Sequence, residues 1–302
     1  MTLALAVTGQ HGQVARSLAE RAAAQGMRVI LLGRPALDLL VPETIGPALA
    51  ASGADVIVNA AAYTAVDQAE SEADVALAVN GHAPGHIAAA AAQMGVPLIH
   101  LSTDYVFDGA ADRPYREDDA VAPMSAYGRS KLAGEQAVAA ATANHAILRT
   151  SWVYSPFGRN FVRTMLMLGQ TRDHVRVVAD QHGNPTSALD LADAIIAMAG
   201  RLAASPAPDL RGTFHGAGSG DAVWADVAEA IFAEAVRHGR APVRVERIAT
   251  AEFPTPARRP ANSRLDCRRL AAAYGLTMPL WRGAVAACVT RLLETEREDT
   301  GQ

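Results

Sequence analysis

Cysteine is almost absent from this 302-residue chain, with Cys267 and Cys288 the only two. Two thiols cannot make a disulfide framework, and their spacing is neither a CxxC pair nor a metal site, so free thiols in a reducing compartment are expected. Aromatic residues make up 5% and charged residues 19%, with a net charge of −4. No stripe of lysine and arginine gives the footprint of a nucleic-acid binder, so no nucleic-acid partner is expected. Long apolar runs are missing as well. The stretch from Ile87 to Ala92 is far short of the roughly 20 residues that span a bilayer. The N-terminus lacks the basic segment, apolar core and cleavage site of a signal peptide. The expectation is a cytoplasmic, soluble protein with no membrane partner. The nine histidines show no HxxxH or HExxH spacing, so no metal is expected.

What the chain does have is bulk, alanine and a repeating order. Half of its residues are hydrophobic, enough for one large domain with a smaller lobe. Apolar runs at Leu3–Val7, Val29–Leu32, Val56–Asn59, Pro97–Ser102 and Ala146–Thr150 read as strands. Between them, Val14–Gln25, Pro47–Ser52, Val75–Met94 and Ala126–Ala141 read as helices. Near-continuous apolar strands alternating with helices predict an α/β fold, a Rossmann-type doubly wound parallel sheet covered on both faces. Residues 1–155 are read as the dinucleotide-binding domain. Residues 156–302 are read mainly as a smaller, discontinuous substrate-binding lobe, with a strand and helix at about 175–202 returning to the core. Asn160–Leu168, Ala188–Leu202 and Val223–Val236 read as helices, Val175–Val178 as a strand and Ser205–Asp209 as a loop. The polar tail from Glu294 is expected to fray.

The first strand runs into Thr8-Gly9-Gln10-His11-Gly12-Gln13-Val14-Ala15. Gly9 permits a tight turn, Gly12 lets backbone approach a pyrophosphate, and Ala15 is small enough for close helix–sheet packing. The GxxGxxA spacing differs from GxGxxG, and alone it is weak. Its place in the first strand-to-helix turn strengthens it. The second strand ends at Arg34, a cation suited to a 2′-phosphate, which favours NADPH and leaves NADH open; a plain solvated arginine is the alternative. Asp38 is read either as a ribose ligand or as a cap for the chain from Leu39 onward. Ala60, Ala61 and Ala62 follow the third strand, where small residues leave room for a cofactor.

Tyr127 and Lys131 stand four apart at the start of a helix and so share a face. An ammonium beside a phenol lowers the phenol's pKa from about 10 towards working pH, which makes Tyr127 a usable proton donor to a ketone. Thr103 ends the strand before it, where its hydroxyl can steady the carbonyl beside Tyr127. His100, within that strand, reads as a satisfied core histidine. Together the parts predict hydride transfer from a nicotinamide to a carbonyl.

Longer motifs carry a resemblance. They are Gly9–Gln13, Val58–Asp67 with Thr64 and Val66, Ser102–Gly109, Tyr127–Glu135, Arg149–Tyr154 and Arg259–Leu265. In these the chain resembles, almost end to end, the dTDP-4-dehydrorhamnose reductase family of extended short-chain dehydrogenases. The resemblance implies reduction of a dTDP-linked 4-keto sugar, with contacts at Thr64, Val66, Thr103, Asp104, Trp152, Asn262 and Arg264. Trp152 offers an indole face for a sugar, and Arg259 and Arg264 are candidates for the pyrophosphate. Some members of that family dimerise through magnesium held by glutamates. Here Ala15–Leu18 carries no acid and Ser187–Asp190 has leucine at the matching place, so a monomer or weak homodimer is expected. Two other readings stay open: a non-catalytic regulatory subunit like that of methionine adenosyltransferase, and a reductase or epimerase of another nucleotide sugar.

Overall fold

The structure is a computed structural model describing residues 2–300. The chain alternates β1 (Ala4–Thr8), α1 (Gln13–Ala24), β2 (Arg28–Leu32), α2 (Ile45–Ser52) and β3 (Val56–Asn59). It continues through α3 (Ala73–Leu77), α4 (Ala83–Met94), β4 (Leu98–Thr103), α5 (Ala126–Ala141) and β5 (His145–Thr150). After β6 (Val153–Tyr154) come α6 (Phe161–Gly169), β7 (His174–Val178), β8 (His182–Gly183), β9 (Thr186–Ser187), α7 (Ala188–Ala204) and β10 (Gly212–His215). The rest is β11 (Ala222–Val223), α8 (Trp224–Arg237), β12 (Arg244–Ile248), α9 (Arg268–Tyr274) and α10 (Trp281–Thr300).

Six strands form one sheet in the order β10-β5-β4-β3-β1-β2, every pair parallel. Strand pleating sends alternate side chains to opposite faces. Leu5 and Val7 of β1 join a core with Leu18 of α1 and Ile195 of α7. Ala6 between them joins Leu49 of α2 and Ile87 of α4. The strand order reverses between β1 and β3, and at such a switch point the carboxyl ends of the strands leave a crevice.

One expectation about residues 175–202 needs correction. The strand at 175–178 does not return to the main sheet: β7 pairs with β12 in a separate two-stranded sheet. Its residues explain why, since Val175 and Val177 are buried while Arg176 between them is exposed. That alternation suits a strand covered on one face, whereas β4 and β5 are buried throughout. The sixth place is taken by β10, a short Gly-Thr-Phe-His segment that the sequence reading passed over. The helix of the same stretch, α7, does pack on the main core beside α1. A second core joins α6, α8 and α10 with β7 through Val162, Ile231, Val285 and Val177.

The expected helix over 75–94 is interrupted. A π turn at 78–82 separates α3 from α4. Pro84 has no N–H to give the carbonyl of Asn80, and π turns accommodate such a gap. At the other end, α10 continues helically to Thr300 rather than fraying from Glu294; residues 301 and 302 lie outside the described residues. Among the described residues no helix is long and apolar enough to cross a membrane, and no cluster of three metal-ligating side chains occurs.

Candidate active site

The turn after β1 is built around Gly9. Its φ of 96° is one that other residues rarely adopt, and its N–H donates to Leu32 O at 2.7 Å. A Cβ there would also press on Ala61 at 3.4 Å. Gly12 caps α1, and no atom lies within 4 Å of where its Cβ would stand. Open space therefore faces the helix N-terminus, where backbone N–H groups gather. Thr8, which the sequence reading left out, ties the crevice together. Its hydroxyl donates to Asn59 Oδ1 at 2.7 Å and accepts from Ala61 N–H at 3.1 Å. Asn59 in turn meets His100 Nδ1 at 2.9 Å. His100 is fully buried, and burial holds its pKa well below the usual value, so the ring is neutral.

A cleft of about 520 Å³ opens from this turn. Of the expected cofactor residues, Gly9, Gln10, His11, Arg34, Asp38, Leu39, Ala61 and Ala62 line it. Gly12, Gln13, Val14, Ala60, Tyr127 and Lys131 do not. The Gln13 amide oxygen accepts from Ser155 and Asn160 at 2.8 and 2.9 Å, pinning the loop over α1, and Val14 packs on the core. Apolar walls from Leu37, Leu40, Val75 and Val79 were not foreseen, because single apolar residues scattered over a loop and a helix have no motif. Arg34 is exposed at the rim. The Asp38 carboxylate accepts from Leu40 N–H at 3.0 Å, closing a local turn.

The catalytic candidates converge at the ends of β4 and α5. Ser125 caps α5 by accepting from Gly128 N–H at 3.1 Å, which fixes Tyr127 in the first turn. Thr103 donates to Asp104 Oδ1 at 2.9 Å and accepts from Tyr105 N–H at 3.2 Å, and it is the one neighbour drawing the Tyr127 phenol's pKa down. Lys131 donates through Nζ to Leu101 O at 2.6 Å. The electrostatics differ from expectation. Burial, helped by the Asp104 charge, pushes the half-buried Tyr127 up to about 12, and Lys131 exerts no resolved pull on it. The lysine's charge is spent on the Leu101 carbonyl, and burial lowers Lys131 itself to about 8. At neutral pH the phenol holds its proton, which suits a donor. Asp104, 2% exposed, is pushed by burial up to about 7 against the hydrogen bond from Thr103.

Around this centre the second half contributes loops. Trp152 follows β5 with φ of 47°, an unusual backbone for an aromatic residue. Its indole stacks on Trp224 at 3.7 Å and 9°, and a Cβ on Gly183 would fall 2.4 Å from it. Neither Trp224 nor Gly183 carried a sequence signal. Thr64 is exposed and Val66 half-buried in the loop after β3. Arg259, expected near a pyrophosphate, forks instead onto Asp67 at 3.0 and 2.8 Å. Asn262 gives both amide hydrogens to Ala111 and Arg113 carbonyls at 2.7 and 2.8 Å, and its oxygen accepts from Arg264 Nε at 2.8 Å. That amide is fully engaged within the chain and orients Arg264, whose guanidinium also reaches Asp221 at 3.2 Å.

Comparison with known proteins places these features. A family model described as the RmlD substrate binding domain matches residues 3–294. The chain is 50% identical over 289 residues to a dTDP-4-dehydrorhamnose reductase of Sinorhizobium fredii, covering 96% of this chain and 97% of that one. It is 45% identical over 294 residues to a dTDP-4-dehydrorhamnose reductase of Burkholderia thailandensis, covering 95% and 98%. Among solved structures, a dTDP-4-dehydrorhamnose reductase of Bacillus anthracis in complex with NADP superposes with a TM-score of 0.89 at 33% identity, covering 96% of this chain and 100% of that one.

Proposed function

The chain belongs to the dTDP-4-dehydrorhamnose reductase family, and on that footing we propose that it reduces the 4-keto group of dTDP-4-dehydro-β-L-rhamnose to give dTDP-β-L-rhamnose, with NADPH or NADH as reductant. The observation that carries this reading is the near full-length match to reductases in a chain whose Thr103, Tyr127 and Lys131 meet at the carboxyl end of β4. The same match favours an enzyme over a regulatory subunit.

The residues present fit a dinucleotide. A Cβ-free turn, a helix N-terminus facing open space and an apolar-walled cleft lie in line. Gly9 to Gly12 would hold the pyrophosphate, with Gln13 and Val14 setting the start of α1. Arg34, Asp38 and Leu39 would flank the adenosine, and Ala60 to Ala62 would leave room beside it. When bound, the nicotinamide supplies hydride to the carbonyl carbon. Thr103 would turn its hydroxyl from Asp104 to donate a hydrogen bond to the ketone oxygen, and Tyr127 would transfer its phenolic proton to that oxygen as negative charge develops there. Lys131, one helical turn from Tyr127 and held on the Leu101 carbonyl, is assigned to the nicotinamide ribose hydroxyls. Thr64, Val66, Asp104, Trp152 and Arg264 are assigned to the sugar nucleotide, with Asn262 holding Arg264 in place. A cytoplasmic location suits the two free thiols, and a monomer or weak homodimer suits the lack of an acid in the first turn of α1.

The test is to mix the protein with NADPH and the 4-keto sugar nucleotide and follow the nicotinamide absorbance. Stoichiometric loss of NADPH supports net reduction. Retention of the cofactor with inversion of the sugar would mean an epimerase, and no change at all would reject the enzyme. Replacing Arg34 by alanine should weaken NADPH by about tenfold, the worth of a charge-assisted bond to the 2′-phosphate, and leave NADH nearly unaffected. Titration of both cofactors by protein fluorescence decides it, and an equal effect on the two removes Arg34 from the 2′-phosphate.

A further inference from the structure

Trp152 holds a left-handed backbone with φ of 47°. That conformation costs free energy in an aromatic residue and persists only where the surroundings impose it, as at ligand clamps. Here the surroundings are specific. Just before it, Ser151 Oγ donates to Asn184 O at 2.8 Å, and Trp152 O accepts from Thr186 N–H at 3.2 Å. The Trp152 indole lies flat on that of Trp224, the first residue of α8, with centroids 3.7 Å apart and planes 9° from parallel. Free rings prefer an offset or edge contact to so full an overlap, so the fold sets this one. Phe161, the first residue of α6, packs on Trp224 in turn, at 4.7 Å.

The second face of Trp152 is covered as well. A Cβ on Gly183 would meet Cε2 of the indole most closely, and the bonded neighbours Nε1 and Cζ2 next, at 2.6 and 2.7 Å. Only an approach over the ring face brings the fusion carbon nearest, because an approach in the ring plane reaches Nε1 or Cζ2 first. No Trp224 atom is among those three nearest atoms, so Gly183 of β8 covers the face that Trp224 leaves. With both faces taken, the indole has none to stack on a sugar, which corrects the expectation drawn from the sequence. What it keeps is its edge. Trp152 is half-buried. Among the described residues its Nε1–H has no acceptor, yet it is not one of the buried polar atoms left without a partner, so it opens to solvent.

We propose that Trp224 is a positioning residue that, with Gly183, clamps Trp152 so that the indole meets the sugar nucleotide edge-first and donates through Nε1 to an oxygen of the sugar. The inference rests on the reductase reading and on the assignment of Trp152 to the sugar nucleotide. Its test is steady-state kinetics with NADPH and the 4-keto sugar nucleotide, with NADPH affinity titrated separately. Trp224→Ala frees the indole and should raise KM for the sugar nucleotide about tenfold, the worth of an ordered aromatic pair. Because the contact is made before and during reaction alike, kcat should stay within about twofold, and NADPH affinity should not move. Trp224→Phe keeps a flat ring and should recover most of the loss. Trp152→Phe keeps two ring faces and loses only Nε1–H and ring size, and should raise KM about fivefold, the worth of one hydrogen bond. In a Trp152→Ala background, Trp224→Ala should add little, because the support then has nothing to hold. If Trp224→Ala does not fold, Trp224→Leu fills the space without a flat ring and takes its place. An unchanged KM in the folded Trp224 variant, losses that simply add in the double variant, or an unchanged KM in Trp152→Phe overturns the inference while the unaltered protein still turns over. Failure of the unaltered protein to reduce the sugar sinks the reductase reading, and the inference with it.

Discussion

Tyr127→Phe lowers kcat by about a thousandfold, within the range that a positioned general acid contributes, and leaves NADPH binding close to that of the unaltered protein. The ring stays, so its edge contact with Tyr105 at 5.9 Å between centroids persists. Only the donor goes. Because the phenol stands at about 12, the unaltered protein enters the reaction with Tyr127 protonated throughout the neutral range, and loss of that proton source cannot be compensated by lowering the pH slightly. Stopped-flow measurement of nicotinamide oxidation, with cofactor affinity titrated separately, checks both halves. A variant that turns over at the original rate removes Tyr127 from the chemistry.

Gly134→Ala should destabilise the protein by about 3 kcal/mol, the upper end of what overpacking typically costs. On an exposed helix the same change is stabilising by about 1 kcal/mol, so the sign depends on what the new methyl meets. Here it would lie 2.1 Å from Asn80 O, a backbone atom. That carbonyl belongs to the π turn before Pro84, and the Asn80 side chain is also fixed, to Tyr63 N–H at 2.8 Å and to Ser130 Oγ at 3.0 Å. Neither partner can swing aside, so α5 must move and carry Tyr127 and Lys131 with it. Gly200→Ala provides the control, since no atom lies within 4 Å of that position in α7. It should be stabilising by about 1 kcal/mol. Denaturant unfolding of the two variants should give opposite signs; equal signs would mean that the close approach of α5 to the π turn does not limit packing.

Legibility in the sequence followed how local the physics was. Gly9 and Gly12 could be read because a tight turn and an open helix start are demands of a few consecutive residues. Tyr127 and Lys131 could be read because helical spacing fixes their common face. Arg259 could not, since its partner Asp67 is brought near by a loop far away in the chain. Asn262 was legible as a motif member, yet its engagement with the carbonyls of Ala111 and Arg113 depends on where that loop lands. The same holds for Trp224 beneath Trp152. The direction of the Tyr127 shift also escaped the sequence, because helical spacing gives proximity to Lys131 but says nothing of burial or of the carbonyl that takes the lysine's charge.

The order of strands and helices, the phosphate-binding turn and the Tyr–Lys face were determined by the sequence itself, because alternating hydrophobicity, glycine backbone freedom and helical repeat act over a few residues. Which strand completes the sheet, how Glu135 meets Arg149 and where each buried charge finds its counter-charge were decided only in the tertiary structure. Those outcomes depend on desolvation and on contacts between segments far apart in the chain, and neither exists until the chain has folded.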